Sequence, residues 1–172
     1  MRMRTSLSVL LCGAVSAPAA AAELDVTLQI PQLDVAEYHR PYVAVWIEGA
    51  DQRVAANLAV WYELKKKDGE GTKWLKDLRQ WWRRSGRELQ MPVDGVSGAT
   101  RVVGEHTLHF SAGKAPLPEL APGQYQLMVE AAREVGGREL LKIPFQWPIA
   151  KAEQLSAQGS AELGRVTLAL KP

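Results

Sequence analysis

Alternation of apolar and polar residues along much of the chain predicts β-strands. Residues 24–30 alternate at every position, which is the pattern of a strand with one buried face. Residues 42–48 and 54–64 predict two further strands, and the short turn at 49–52 favours an antiparallel hairpin between them. Additional strands are predicted at 107–110, 122–131, 140–147 and 165–170.

Turn signals between these strands narrow the fold class. Gly136 and Gly137 predict a tight hairpin between two of the strands. Tyr125 closely follows a Pro-Gly pair at the start of a strand, as in the tyrosine corner of immunoglobulin-like sandwiches. We therefore predict a mainly β protein, an immunoglobulin-like antiparallel β-sandwich with one inserted amphipathic helix, formed as a single domain by residues 23–172.

The inserted helix is predicted between Thr72, which can cap its start, and Gly86, which can end it. An apolar stripe at helical spacing consists of Trp74, Leu75, Leu78, Trp81 and Trp82. The remaining positions carry the basic residues Lys73, Lys76, Arg79, Arg83 and Arg84. The stripe indicates packing in the core, and the basic face is also typical of a helix that lies on an anionic membrane surface.

The first 22 residues have the features of a cleaved signal peptide. Arg2 and Arg4 precede a short apolar core at 7–15, and small residues follow at 17–22. The core is too short to anchor the protein in a membrane. We therefore predict a periplasmic protein that is cleaved near Ala22. Its single cysteine, Cys12, leaves with the signal peptide, so the mature chain contains no disulfide.

Charge and histidine spacing exclude further classes. Arg2 and Arg4 are the only charged residues of the signal peptide, so its removal lowers the formal net charge from +2 to 0, and nucleic-acid binding is not predicted. No later segment is long and apolar enough to cross a membrane, so an integral membrane protein is not predicted. His106 and His109 lie three apart in a predicted strand and face opposite sides, which disfavours a metal site.

One segment carries candidate chemistry. It consists of Asp94, Gly95, Val96, Ser97, Gly98, Ala99 and Thr100, and it has no apolar periodicity, so we predict an exposed, loosely packed loop. Gly95 and Gly98 permit positive φ angles and close approach of another molecule. Because the two residues before Thr100 are small, its hydroxyl is open to a modifying enzyme. Ser97 is not preceded by the strand of a nucleophile elbow, so no hydrolase is predicted.

This heptad resembles the acceptor motif of flavin transferase substrates, Asp-Gly-x-Ser/Thr-Gly-Ala-Thr. The resemblance implies that Thr100 receives FMN through a phosphoester bond with FAD as donor, while Asp94, Gly95, Ser97, Gly98 and Ala99 form the rest of the motif. It covers seven residues only. The rest of the chain resembles a family of predicted periplasmic proteins of unknown function that is often found with flavin transferases and PepSY-type membrane reductases.

The resemblance implies an electron carrier rather than a stand-alone enzyme. FMN on Thr100 would relay electrons from a membrane reductase to an extracytoplasmic acceptor, and Gly98 would serve the transferase's approach rather than folding. It also adds a third interpretation of the tryptophan-rich helix, as a lining for the flavin. The alternative is a cofactor-free periplasmic β-sandwich that acts as a binding or assembly module, since a sandwich by itself does not define a function.

Overall fold

A computed structural model describes residues 21–172, and these residues form two β-sheets. The strands are β1 (Glu23–Ile30), β2 (Tyr42–Gly49), β3 (Val54–Tyr62), β4 (Ser97–Ala99), β5 (Gly104–Ser111), β6 (Gly123–Ala132), β7 (Arg138–Trp147), β8 (Glu153–Gln158) and β9 (Arg165–Lys171). The first sheet has the order β5-β1-β9-β8, and the second has the order β4-β3-β2-β6-β7. The predicted mainly β, two-sheet sandwich is confirmed.

The main core lies between the two sheets. Alternate residues of β1 and β9 face inward, including Val26 and Leu168, which are fully buried. They pack with the inward residues of the second sheet, such as Val45 and Val129. Burial of these side chains removes apolar surface from water and is the main stabilising contribution to the sandwich.

Strand β2 in the second sheet is buried on both faces, whereas β1 and β9 in the first sheet are fully buried on one face only. Every residue of β2 from Tyr42 to Glu48 is buried. The outward-facing side chains Ala44 and Trp46 form a second core with Met128 of β6 and with the segment between β3 and β4. A strand with two buried faces requires a continuous apolar run, and residues 42–47 have one.

The inserted segment covers this outer face, but it is not the single helix that we predicted. It consists of a 3₁₀ segment (Lys67–Asp77), a short helix α1 (Arg79–Arg84) and a 3₁₀ turn (Gly86–Glu88). The break falls at Leu78, whose ψ of 71° is not helical. Thr72 does not cap a helix, because its hydroxyl donates to the carbonyl of Gly69, 2.8 Å away.

The break is explained by a buried carboxylate. Glu130 of β6 is fully buried and accepts hydrogen bonds from the backbone amides of Gln80 (3.0 Å) and Trp81 (2.8 Å). Arg138 on β7 also donates to it. The amides at the start of α1 are therefore satisfied by the sheet, and a continuous helix would have used them internally.

Trp81 is the main apolar contact of α1. Its ring is fully buried and its indole nitrogen donates to the side chain of Asn57, 2.8 Å away. A Cβ at Gly86 would lie only 2.5 Å from this ring. Gly86 does not end α1, which stops at Arg84. Its missing side chain makes room for the indole instead.

Several local predictions are confirmed. The β2–β3 and β6–β7 pairs are antiparallel hairpins. The hydroxyl of Tyr125 donates to the carbonyl of Ala121 at 2.8 Å, as in a tyrosine corner. The sequence prediction missed β8, whose mostly exposed residues pair only with β9 at the edge of the first sheet. It also missed β4, which is described below.

Residues 1–20, which contain most of the predicted signal peptide, lie outside the described residues. Among the described residues, no helix has the length and apolar character needed to cross a membrane.

Trp81→Ala is expected to lower the free energy of unfolding by about 3–5 kcal/mol, because it leaves a cavity and removes the hydrogen bond from the indole to Asn57. Trp74→Ala is the matched control, since Trp74 is 45% exposed. Urea denaturation of both variants measures the difference. Equal losses for the two variants would contradict the assignment of Trp81 to the core.

Candidate functional site

The candidate motif begins as a tight turn. The amide of Val93 donates to the hydroxyl of Ser97 (2.9 Å), and the amide of Ser97 donates back to the carbonyl of Val93 (2.9 Å). Gly95 lies in the middle of this turn with a φ of 71°. Asp94 and Gly95 are exposed, whereas Val96 is buried in the second core. Ser97 therefore stabilises the turn through its side chain.

The second half of the motif is a strand, so the prediction of a loop over 94–100 is wrong for these residues. Ser97–Ala99 form β4, which pairs in parallel with β3 at the edge of the second sheet. The amide of Val60 donates to the carbonyl of Val96 (2.9 Å), and the amide of Thr100 donates to the carbonyl of Tyr62 (3.2 Å). Backbone pairing overrides the weak local preference of this small-residue segment.

Gly98 packs closely, in contrast to the expectation that it serves access alone. Of the two motif glycines, only Gly95 has a positive φ. A Cβ at Gly98 would lie 3.2 Å from Cδ1 of Trp61, its partner in the ladder. Trp61 is 2% exposed and has little room to move. Gly98 thus serves the fold at this point.

The same tryptophan also holds the residue that follows the motif. The guanidinium carbon of Arg101 lies 5.3 Å from the centroid of the Trp61 ring, a cation–π contact. The ring of His106 meets Trp61 edge-on at 5.8 Å. His109, on the opposite side of β5 as predicted, pairs with Asp25 at 2.7 Å. The backbone amide of Thr100 and the side chain of the next residue, Arg101, thus both contact β3.

Thr100 lies at the boundary of a cavity of about 300 Å³. Its side chain is partly exposed, because β4 is an edge strand and ends just before it. The other residues that line this cavity are Tyr38, His39, Arg40, Tyr42, Glu63, Trp74, Asp77, Ala132, Arg133 and Glu134. Thr100 also borders a shallower depression that Lys65 and Lys66 line. The motif threonine therefore borders both a cavity and a depression that contains two lysines.

The cavity wall contains a buried ion pair. Nε and Nη2 of Arg133 donate to the carboxylate of Glu162 at 2.8 and 3.2 Å, and both side chains are at least 94% buried. Within residues 21–172, Nη1 of Arg133 is buried and has no hydrogen-bond partner. A guanidinium has five N–H donors, so this pair leaves part of its donor capacity unused.

Tyrosine hydroxyls line the same cavity. The hydroxyl of Tyr38 is buried and, among the described residues, also has no partner. Burial raises the pKa of Tyr38 above its usual value, so the hydroxyl keeps its proton at neutral pH. Burial likewise raises the pKa of Tyr42 to about 12, and its hydroxyl donates to the carbonyl of Gly71 at 3.0 Å. Tyr38 is thus a neutral donor without an acceptor.

The tryptophans of the inserted segment are not all buried. Trp81 packs in the second core, whereas Trp74 is exposed and lines the cavity beside Thr100. Arg84 is not a free surface charge, since its Nε lies 3.4 Å from the buried carboxylate of Glu48. Arg83 remains exposed.

The cavity residues Tyr38 and Arg133 were not identified from the sequence, and neither was Glu162, which pairs with Arg133. They come from the β1–β2 connection, from the end of β6 and from the turn before β9. No local pattern links these segments. Only the pairing of β2 with β6 brings the first two together beside Thr100.

The fold and the site define a β-sandwich protein whose edge strand presents a threonine beside a polar, aromatic-lined cavity. Residues 23–165 match the model of a protein family described as "Predicted periplasmic protein (DUF2271)", and the chain belongs to this family. The periplasmic location predicted from the N-terminal sequence agrees with that description. No curated protein and no solved structure gives a significant match.

Gly98→Val is expected to lower the free energy of unfolding by about 1–3 kcal/mol, because its methyl groups would overlap the fixed indole of Trp61. Gly95→Ala is the comparison variant. It meets no atom within 4 Å, and it should cost about 1–2 kcal/mol through its positive φ alone. Thermal unfolding measures both. A wild-type melting temperature for Gly98→Val would show that Trp61 can move aside.

Proposed function

We propose that the protein is a periplasmic flavoprotein that carries FMN covalently on Thr100 and relays electrons from a membrane reductase to an extracytoplasmic acceptor. The observation that carries the proposal is the heptad from Asp94 to Thr100, together with the position of its threonine. Thr100 follows an edge strand, is partly exposed and borders a cavity. A transferase could therefore approach the hydroxyl without unfolding the sandwich.

Attachment is a phosphoryl-group transfer with FAD as co-reactant. Oγ1 of Thr100 forms a bond to the phosphorus on the flavin side of FAD, and the pyrophosphate bond to AMP breaks. The hydroxyl proton passes to a base of the transferase, and AMP leaves. The resulting phosphodiester carries one negative charge, which suits the neighbouring lysines Lys65 and Lys66.

The chain's own residues fit a tethered cofactor. The backbone around Thr100 is held by the hydrogen bond from its amide to the carbonyl of Tyr62 and by the Arg101–Trp61 contact. An attached flavin would supply reversible electron transfer that ordinary side chains cannot. A covalent bond keeps that group at a local concentration on the order of millimolar even where a pocket binds it weakly.

The electron donor would be a membrane-bound reductase, of the PepSY type if the resemblance holds. The inserted segment, residues 67–88, is called the covering segment below. Its exposed basic residues include Lys73, Lys76, Arg79, Arg83 and Arg87. The same segment contributes Trp74 and Asp77 to the cavity beside Thr100. A donor with an acidic surface that docks on this segment would therefore be close to the flavin.

Co-expression with an exported flavin transferase is expected to make the mature protein heavier by one FMN minus one water. Thr100→Ala should abolish the increment, because it removes the accepting oxygen. Ser97→Ala is the control, since it removes only the hydroxyl that caps the Val93 turn. Intact-mass spectrometry measures all three proteins. An unmodified wild type under these conditions would exclude the flavin proposal and favour a cofactor-free binding module.

Reversing the charges of Lys76 and Arg83 to Glu is expected to slow electron uptake from the membrane donor several-fold, with an effect that fades as salt rises. Both side chains are exposed, so stability should change by less than about 1 kcal/mol. Arg84 is left intact because of its pairing with Glu48. Lys114→Glu, in the turn after β5, is the control. An equal slowing in that control would exclude docking on the covering segment.

A further inference from the structure

The cavity beside Thr100 holds more donor capacity than the protein uses. Tyr38 and Arg133 line it, and the hydroxyl of Tyr38 and Nη1 of Arg133 are buried without a partner among residues 21–172. A buried donor without an acceptor costs about 1–3 kcal/mol. Two such groups on one cavity indicate a ligand that accepts hydrogen bonds at this place.

The walls of the cavity indicate the shape of that ligand. Tyr38, Tyr42 and Trp74 are all among its lining residues. Trp74 is 45% exposed although it is large and apolar, so one face of its ring is available for stacking. Most other lining residues are charged or polar, so these aromatic rings are the surfaces on which a flat ligand can stack.

The charge of the cavity narrows the choice further. Glu162 neutralises the guanidinium of Arg133, so Nη1 offers a hydrogen bond rather than a full positive charge. His39 is paired with Glu37 and Glu134, and Glu63 is paired with Lys66. The remaining charged lining residues, Arg40 and Asp77, have opposite signs. A polyanionic ligand is therefore not favoured. A neutral ring system with carbonyl and imine acceptors along one edge suits these donors better.

We propose that this cavity receives the isoalloxazine ring of the flavin that is joined to Thr100, with Tyr38 and Arg133 donating to the carbonyl-bearing edge of the ring. This inference rests on the flavin proposal above and adds to it a binding seat. Binding at this seat determines whether the attached flavin is enclosed by the protein or exposed to solvent. Donors at that edge also stabilise the negative charge that reduction places there.

The tether makes a weak seat sufficient. At an effective concentration on the order of millimolar, a dissociation constant of about 1 mM already gives half occupancy. A site with two hydrogen bonds and one stacking face needs no greater affinity. The inference therefore does not require tight binding of free flavin.

The test compares flavinylated and unmodified forms of the wild type, Tyr38→Phe and Trp74→Ala. Tyr38→Phe removes only a hydroxyl without a partner, so the unmodified variant should be as stable as the wild type or more so. Two readouts are used, namely quenching of flavin fluorescence by iodide and the folding equilibrium constant from urea denaturation.

Attachment is expected to protect the wild-type flavin from iodide and to raise the folding equilibrium constant by a factor set by seat occupancy. Tyr38→Phe should bring that factor close to one, because the loss of one hydrogen bond weakens binding at the seat roughly two- to tenfold. Trp74→Ala should increase iodide access through loss of the stacking face. The unmodified form of each variant is its own control, as in a double-mutant cycle.

The failures are distinguishable. If mass spectrometry shows attached flavin but iodide quenches it as it quenches free FMN, and the folding constant is unchanged, the seat is excluded and the flavin proposal stands. If the wild type is not flavinylated, the flavin proposal falls. Titration of the unmodified protein with free FMN to a few millimolar then shows whether the cavity binds flavin. Saturable binding weakened by Tyr38→Phe keeps it as a flavin site, and no binding excludes it.

Discussion

The buried carboxylate of Glu130 is the interaction on which the second half of the structure depends. It lies near the end of β6, is fully buried, and accepts two amide hydrogen bonds from the start of α1. A carboxylate buried in an apolar sheet is costly unless it is fully paired. Its pairing here attaches α1 to the sheet, which places Trp81 over the outer face and returns the chain to the edge of β3.

From that point the geometry of the motif follows. The chain after α1 has only a short distance to reach β3, and it enters the sheet as β4, parallel to its neighbour. Trp61 then fixes the region from both sides of Thr100, through contact with Gly98 and with Arg101. Part of the motif therefore lies in the sheet edge, while Asp94, Gly95 and Ala99 are exposed and Thr100 is partly exposed.

Periodicity was sufficient to predict most strands because they bury one face or two, and burial leaves a pattern in the sequence. It failed for β8, whose edge position leaves four of its six residues exposed. It also failed for the covering segment. Apolar residues at helical spacing predicted one helix there, but the segment folds as two 3₁₀ stretches and the short helix α1. The competing interaction there is Glu130, and residue 130 lies far from that segment in the sequence.

The candidate site shows the same division between local and long-range information. The heptad is local, and its residues could be named from the sequence alone. The cavity is not local, because Tyr38 and Arg133 come together through the pairing of β2 with β6, and Glu162 reaches Arg133 from the turn before β9. A motif that needed only an exposed hydroxyl could lie in any loop. Its position here, beside a cavity with unused donors, is a property of the folded protein and is the reason to treat Thr100 and the cavity as one site.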